Sequence, residues 1–293
     1  MAKEFSRHIE SDLIKELLKT PLWINKLERD CKERKVFLAI RPDYISFYYK
    51  GGGLFKFDKN RFQTNVAYTA LLKNYKDDYI HESYLPKVKT ISNFVEGYTG
   101  IKKNCEQYSK NTEDEGVSVI YHTFPYNLEE SDVVVLDIQA AFIDTQEDDK
   151  KKKQNRTDIL LFHKRLRELL FIEAKKYDND EIRAKNKAPL VIEQLQRYRA
   201  TINKQGKDIL SAYKEYTDTL KEIFSDLSLS DPQKIEKNVG LLIFGFDKDQ
   251  RDGRLNDQII TNPVFNDIPF YCIGNIKDIK AETFWEEIKK KIK

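Results

Sequence analysis

The spacing of apolar residues changes along the chain. Residues 3–30 predict helix, because apolar side chains recur every three or four positions at Ile9, Leu13, Ile14, Leu17 and Leu18. Residues 36–58 instead alternate apolar and polar side chains, which predicts strands joined by a turn at Gly51-Gly52-Gly53. No Gly-Lys-Ser/Thr follows these glycines, so a hairpin turn is favoured over a phosphate-binding loop.

The rest of the chain alternates between strand-like and helix-like patterns. Residues 60–110 are mixed, with helical stretches near 65–75 and 88–108, and the polar segment 109–116 is a candidate linker. Further strands are predicted at 117–122, 133–143, 156–162, 169–175, 239–246 and 269–276. Helices are predicted at 189–202, 208–237 and 282–293.

The length of 293 residues suggests two domains, at roughly 150 residues each. We expect an N-terminal α+β module over residues 1–110, formed by a helix, an aromatic hairpin and further helices. Residues 111–293 form the second predicted domain. The apolar share of 40% is enough to build a core, so global disorder is not expected.

The charges nearly cancel, with 51 Lys+Arg against 48 Asp+Glu and a net charge of +3. This balance excludes a polybasic protein but permits a local basic surface. The longest apolar run, 239–246, is too short to span a membrane, and the first 12 residues lack the apolar core of a secretory signal. The 3 cysteines and 4 histidines show neither a zinc-binding spacing nor a disulfide framework. We therefore expect a reduced, cytoplasmic protein in which oxygen ligands would hold any metal.

Three polar residues interrupt the apolar strands 156–162 and 169–175. If the turn between the strands is centred between Arg165 and Leu166, cross-strand partners have numbers that sum to 331. Asp158 then faces Glu173, with Cβ atoms ~5 Å apart. Lys175 lies two residues beyond Glu173 and therefore points to the same face of the sheet.

Two facing carboxylates repel each other, and a divalent cation between them removes the repulsion. Hard oxygen ligands favour Mg²⁺ or Mn²⁺, and a lysine beside them can steady a water molecule or the charge on a phosphate. The residue types at Asp158, Glu173 and Lys175 thus predict metal-assisted phosphodiester hydrolysis. The alternative without a catalytic role is that Glu173 and Lys175 form the solvated end of a strand.

Gln194 and Tyr198 follow on the next predicted helix, four residues apart and hence on one helix face. The run Asp158, Glu173-Ala174-Lys175, then Gln194-Leu195-Gln196-Arg197-Tyr198 resembles the PD-(D/E)xK nuclease superfamily, in the RecB-type branch with a Q-x-x-x-Y helix. The motifs cover about residues 130–205. The resemblance implies an α/β fold with a restriction-endonuclease-like core, in which helices flank a mixed sheet, and an N-terminal α+β elaboration.

The resemblance also implies roles for the motif residues. Asp158 and Glu173 would bind Mg²⁺ or Mn²⁺, with the backbone carbonyl of Ala174 as a further ligand, and Lys175 would position the attacking water. Gln194 and Tyr198 would contact nucleic acid or order the site. Thr157 stands where many members have proline. The additional acid that the family carries on a preceding helix has three candidates, Glu96, Glu106 and Asp137, although Asp137 also fits a structural role in its strand.

The charge around these motifs is basic. Residues 160–207 contain 12 Lys+Arg and 6 Asp+Glu, a difference of +6. Arg183, Lys185 and Lys187 fall in a predicted loop before the Gln194 helix, where we favour contact with a polyanionic substrate over a solvated surface. The acidic-then-basic run 144–153 is predicted to be a solvated loop.

These features predict a Mg²⁺-dependent nuclease that acts on nucleic acid, with DNA favoured, and they leave a homodimer open. Restriction or phage defence is suggested by analogy alone. A catalytically inactive nucleic-acid-binding module and a protein-interaction scaffold are the alternatives. The aromatic hairpin of the N-terminal module is expected to form core or a subunit interface, with stacking on bases as the second interpretation.

Overall fold

The structure is a computed structural model, and it describes residues 5–69, 78–88, 91–142, 156–183 and 188–292. The chain divides into two compact units, each described by itself below. One unit contains Ser6–Asn127 and Glu215–Ser228, and the other contains Leu128–Lys214 and Leu229–Lys293 together with Phe5. The predicted loop 144–153 and the residues Lys185 and Lys187 lie outside the described part of the chain.

The unit with the N-terminal residues is built on a five-stranded antiparallel sheet. Its strands follow each other in chain order, as β1 Phe37–Arg41, β2 Tyr44–Tyr49, β3 Gly52–Asp58, β4 Arg61–Asn65 and β5 Tyr79–His81. The helices of this unit are α1 Ser11–Lys19, a π-helical turn Trp23–Leu27, α2 Glu28–Lys32, α3 Phe94–Ser109 and α4 Glu113–Thr123. Short 3₁₀ turns cover Val66–Thr69 and Glu82–Val88.

The aromatic hairpin β2–β3 supplies core side chains. Phe47, Phe55 and Phe57 are each at most 2% exposed, so they are buried against their own unit. The turn between the strands uses Gly51 in the left-handed region, at φ +89°, and its N–H donates to the hydroxyl of Tyr121 at 2.9 Å. The predicted hairpin turn at the glycines is therefore confirmed, and these phenylalanines are not free to stack on bases.

The strand predicted at 117–122 is wrong, because these residues belong to α4. The side chain of Thr112 accepts a hydrogen bond from the Glu115 N–H and caps the helix at its first turn. Val117, Ile120 and Tyr121 are buried at helical spacing. The candidate linker 109–116 thus contains the cap and the first turn of a helix.

The other unit is built on a six-stranded mixed sheet. Its strands are β6 Val133–Ala141, β7 Arg156–His163, β8 Glu168–Lys176, β9 Lys234–Ile235, β10 Gly240–Phe244 and β11 Phe270–Ile273. The order is β11-β10-β8-β7-β6, in which β6, β7 and β8 are antiparallel and β10 is parallel to both β8 and β11. Strand β8 therefore lies in the middle of the sheet, and β9 pairs with its first residues.

Helices accompany this mixed sheet. They are α5 Leu190–Ile223, α6 Lys248–Gln250 with its π-helical continuation Arg251–Ile260, and α7 Ala281–Lys290. Residues 190–214 of α5 belong to this unit, and residues 215–223 belong to the unit with the antiparallel sheet. The helix predicted at 208–237 instead continues α5 without a break and ends at Ile223. Beyond it, serines, aspartates and Pro232 favour turns over helix.

The fold contains one antiparallel and one mixed sheet, both flanked by helices. This agrees with the predicted α/β class. None of the helices in the described ranges combines the length and the apolar character needed to cross a bilayer.

Candidate active site

The site begins with the pairing of β7 and β8. The paired residues run from Ile159↔Ile172 to His163↔Glu168, so every pair of numbers sums to 331, and the predicted register is confirmed. The paired ladder ends at Ile159↔Ile172, and the same register continued by one residue places Asp158 opposite Glu173. A slip by one residue would move Glu173 and Lys175 to the other face of the sheet.

Asp158 is held by the backbone of the neighbouring strand. Its Oδ2 accepts a hydrogen bond from the Ala174 N–H at 2.8 Å. In an extended strand the N–H and C=O of one residue point to the same side, so the Ala174 carbonyl also leaves β8 on the side of Asp158. The Asp158 carboxylate and the Ala174 carbonyl, two of the three oxygen donors expected from the sequence, are therefore on the same edge of β8.

Glu173 and Lys175 form a buried ion pair on one face of β8. The residues are 1% and 6% exposed, and Lys175 Nζ lies 2.8 Å from Glu173 Oε1. Burying either charge alone would be costly, and each compensates the other. Lys175 Nζ also lies 2.9 Å from Glu181 Oε2, a carboxylate from the short helical turn Asp180–Ile182 that follows the strand.

Helix α5 brings its first turns to the same carboxylate. The Gln194 side-chain N–H donates to Glu173 Oε1 at 2.7 Å and to the hydroxyl oxygen of Tyr198 at 2.6 Å. The Tyr198 O–H donates in turn to the Arg156 carbonyl at 2.6 Å. A chain of hydrogen bonds thus joins the start of β7, the helix and the buried acid of β8.

Tyr198 acts as a donor in this chain. Its side chain is 1% exposed, and burial raises the pKa of Tyr198, as does the nearby carboxylate of Glu173. The phenol therefore keeps its proton at neutral pH and holds the carbonyl of Arg156. This arrangement explains the spacing of four residues between Gln194 and Tyr198, since both side chains must lie over the same end of the sheet.

The three candidates for an additional acid have other surroundings. Asp137 is fully buried, and its Oδ2 accepts from the Tyr213 hydroxyl at 2.8 Å while its Oδ1 accepts from the Ile138 N–H at 2.8 Å. Glu106 pairs with Lys50 at 2.5 Å, and Glu96 is exposed near the start of α3. Both glutamates belong to the unit with the antiparallel sheet.

The donor set fits a hard divalent cation in its chemistry. Asp158, Glu173 and the Ala174 carbonyl offer only oxygen, which is what Mg²⁺ and Mn²⁺ prefer. Mg²⁺ keeps several of its waters and often needs only one or two carboxylates from the protein. Within the described residues there is no group of three or more His, Cys, Asp or Glu side chains placed to hold a metal.

Arg183 lies beside the site but is directed to its own segment. Its guanidinium donates to the Tyr177 carbonyl at 2.5 Å, and its Cζ lies 4.8 Å from the centre of the Tyr177 ring. Arg183 also lines a groove that runs to the π-helical segment Arg251–Ile260. The residues that line this groove are Asp180, Arg183, Pro189, Arg254, Asp257, Gln258 and Asn262.

Sequence reasoning missed two parts of this site. Glu181 is six residues beyond Lys175, and the intervening Tyr177–Asp180 predicts only a turn, so no regular spacing relates the two side chains. Arg254 is far from the motifs in the sequence and reaches the groove through the β10–β11 connection. Neither contact follows from a local pattern.

Comparisons with known proteins give no relative for this chain: no protein-family model, no curated protein and no solved structure matches it. The geometry brings together Asp158, Glu173, Lys175, Gln194 and Tyr198 from β7, β8 and α5.

Proposed function

We propose that the protein is a metal-dependent nuclease with a restriction-endonuclease-like core. The observation that carries this proposal is the set of contacts on Glu173 Oε1, which receives both the Lys175 ammonium and the Gln194 amide. A lysine from the same strand and a glutamine–tyrosine pair from another element converge on this one oxygen. The order of β6, β7, β8, α5 and β10 supports the same core.

In this proposal Asp158, Glu173 and the Ala174 carbonyl hold Mg²⁺ or Mn²⁺. When bound, the metal supplies a Lewis acid for the phosphate and lowers the pKa of a coordinated water. Lys175 donates hydrogen bonds to the attacking water and to the phosphate oxygens as negative charge builds on them. Gln194 fixes the orientation of Glu173, and Tyr198 fixes Gln194 by holding it over the end of β7.

The proposed substrate is a nucleic acid, because of the charge around the site. The segment 160–207 is basic while its metal site is acidic, which suits a polyanion that approaches a cation. Arg183 and the groove beside it would contact the backbone of the nucleic acid, and DNA is favoured over RNA. A role in restriction or phage defence belongs to the same proposal and rests on analogy. A homodimer would suit the cutting of both strands, and the three widely spaced cysteines favour a reducing, cytoplasmic location.

The proposal is tested with plasmid DNA, circular single-stranded DNA and RNA, each incubated with the protein and Mg²⁺ or Mn²⁺. We expect metal-dependent cutting that is lost in Glu173→Ala. The matched control is Glu168→Ala on the same strand, since Glu168 pairs with Lys289 away from the site and its loss should leave cutting intact. If the wild-type protein cuts none of the three substrates with either metal, the nuclease proposal fails.

The second candidate is a nucleic-acid-binding module that has lost catalysis. The observation in its favour is that the described residues bring no third acidic side chain to Asp158 and Glu173 as a metal-binding group. This alternative predicts binding of DNA at moderate salt without cutting, and with the same affinity in the presence and absence of Mg²⁺.

A further inference from the structure

Glu181 occupies a fixed position next to the candidate site. It lies in the helical turn Asp180–Ile182, where the Asn179 side chain accepts a hydrogen bond from the Glu181 N–H at 2.9 Å. Ile182, the next residue, is fully buried and anchors the turn. The backbone of Glu181 is thus held at both sides, and its side chain reaches back to β8.

Lys175 lies between two carboxylates of different character. Its Nζ is 2.8 Å from Glu173 Oε1 and 2.9 Å from Glu181 Oε2. The Glu173 side chain is 2% exposed and the Glu181 side chain is 40% exposed. One partner is therefore buried in the site, and the other borders on solvent.

The neighbouring acids of the same segment have other contacts. Asp178 pairs with Lys176 at 3.0 Å on the outside of the strand, and Asp180 lines the groove with Arg183. Glu181 is thus the acid of this short segment for which the structure shows a contact with Lys175. Its distance from Lys175 matches that of Glu173 within 0.1 Å.

A cation at Glu173 and the ammonium of Lys175 compete for one carboxylate. They carry charge of the same sign, and Glu173 Oε1 already receives the Gln194 amide. A divalent cation therefore interacts fully with the Glu173 carboxylate only when the ion pair between Lys175 and Glu173 is weakened. Lys175 can do so without becoming an unpaired buried charge, because Glu181 is within contact.

We infer that Glu181 is a positioning residue that takes over the ammonium of Lys175 when a divalent cation binds at Glu173. This inference rests on the proposed function, since it concerns the metal site of that function. Glu181 keeps Lys175 beside the site, where it faces the attacking water, and releases the Glu173 carboxylate for the metal. Uptake of the metal and placement of the lysine are thereby linked.

The inference is tested by measuring the affinity for Mn²⁺ by isothermal titration calorimetry, with the full chain and without nucleic acid. We expect Glu181→Gln to bind Mn²⁺ about tenfold more weakly than the wild type, because residues that support metal ligands typically change affinity by about 10–100-fold. Glu181→Asp, which keeps the charge, should recover part of the affinity. Asp178→Asn, which removes an acid of the same segment, should bind like the wild type.

Three outcomes overturn the inference. If Glu181→Gln folds, as judged by urea unfolding, and binds Mn²⁺ as tightly as the wild type, Glu181 has no part in cation uptake, while the proposed nuclease function stands. If the wild-type protein binds no Mn²⁺ or Mg²⁺, both the inference and the metal-dependent function fail. If Glu181→Gln does not fold, Glu181→Asp provides the test. The shorter aspartate side chain should not reach Lys175 as glutamate does. A Mn²⁺ affinity equal to that of the wild type, together with an unchanged kcat for cutting, would therefore contradict the positioning role.

Discussion

The side-chain amide of Gln194 donates to Glu173 across 2.7 Å and so connects the first turns of α5 with the central strand β8. The same amide donates to Tyr198, whose hydroxyl holds the carbonyl of Arg156. A glutamine at this point serves both as a hydrogen-bond donor to a buried carboxylate and as a link to the strand that carries Asp158. Its role can be separated from packing by experiment.

Gln194→Ala removes the hydrogen bond to the buried carboxylate of Glu173. It also removes the hydrogen bond that the Tyr198 hydroxyl accepts. We expect a loss of about 1–3 kcal/mol in the free energy of unfolding and a fall of about 10–100-fold in kcat for cutting. Urea unfolding and single-turnover kinetics measure the two effects. The control is Gln196→Ala on the exposed face of the same helix, which should change neither. Equal effects of both substitutions would argue against the hydrogen-bond chain.

Lys175→Met replaces the buried ammonium by an apolar side chain of similar length. Without metal we expect the variant to lose about 3 kcal/mol of stability, because Glu173 then remains as a buried charge without its cation. Mg²⁺ should restore part of this loss, since a metal at Glu173 compensates the same charge. Thermal unfolding without Mg²⁺ and over a series of increasing Mg²⁺ concentrations measures this recovery of stability. A variant that Mg²⁺ does not stabilise would contradict a metal site at Glu173.

Asp137 distinguishes a structural acid from a metal ligand. In Asp137→Asn the charge-assisted hydrogen bond from Tyr213 becomes a weaker one, so we expect stability to fall by about 1–2 kcal/mol. The cutting activity per folded molecule should be retained. Activity is compared with the folded fraction from circular dichroism. Loss of activity at unchanged stability would instead place Asp137 among the acids of the site.

Arg254 tests the groove as a path for the nucleic acid. Arg254→Ala removes an exposed cation from the lining of the groove and should raise KM several-fold at unchanged kcat. The slope of log affinity against log salt should fall in magnitude by about 1, because one phosphate contact is lost. Lys277→Ala, an exposed cation that does not line the groove, is the control. An unchanged salt slope in Arg254→Ala would exclude this path.

His122 makes the unit with the antiparallel sheet sensitive to acid. Burial lowers the pKa of His122 to about 4, and Nδ1 contacts the Arg34 carbonyl at 3.0 Å while Nε2 accepts from the Lys50 N–H at 3.3 Å. The unfolded chain binds a proton near pH 6.5, so the stabilisation is complete above that pH and is lost as the pH falls toward 4.

The size of this effect is about 2–3 kcal/mol, since one pKa unit corresponds to about 1.4 kcal/mol and the partly exposed ring reduces the full value. The variant His122→Gln cannot be protonated in this range. Urea unfolding at pH 7, 6, 5 and 4 should show a smaller loss of stability in His122→Gln than in the wild type. Parallel curves for the two proteins would show that another group causes the pH dependence.

The strand register and the helix-face contact at the candidate site were predicted from the sequence, whereas several of the surrounding contacts were not. The sum of 331 for partners in β7 and β8 follows from one turn position, and the structure confirms it from Ile159↔Ile172 onward. The contact between Gln194 and Tyr198 follows from helical spacing. These are short-range relationships within two neighbouring elements, which periodicity can indicate.

Long-range and irregular parts could not be predicted in the same way. Residues 117–122 contain apolar residues in close succession, and the cap formed by Thr112 and Glu115 was the signal that makes them helical. Glu181 reaches Lys175 through an irregular turn, and the partner of Asp137 is Tyr213, 76 residues away in the chain. Contacts of this kind depend on the packing of whole elements.

The position of β8 in the middle of its sheet has a consequence for motion. Its residues 168–172 pair with β7, and β9 and β10 pair with it on the other side, so we expect its amide protons to exchange slowly with solvent. We therefore expect the segment that carries Glu173 and Lys175 to open only together with the strands beside it. Any adjustment that admits a bulky polymer must come from the segments around the strand, while the strand itself provides a stationary reference for the reacting groups.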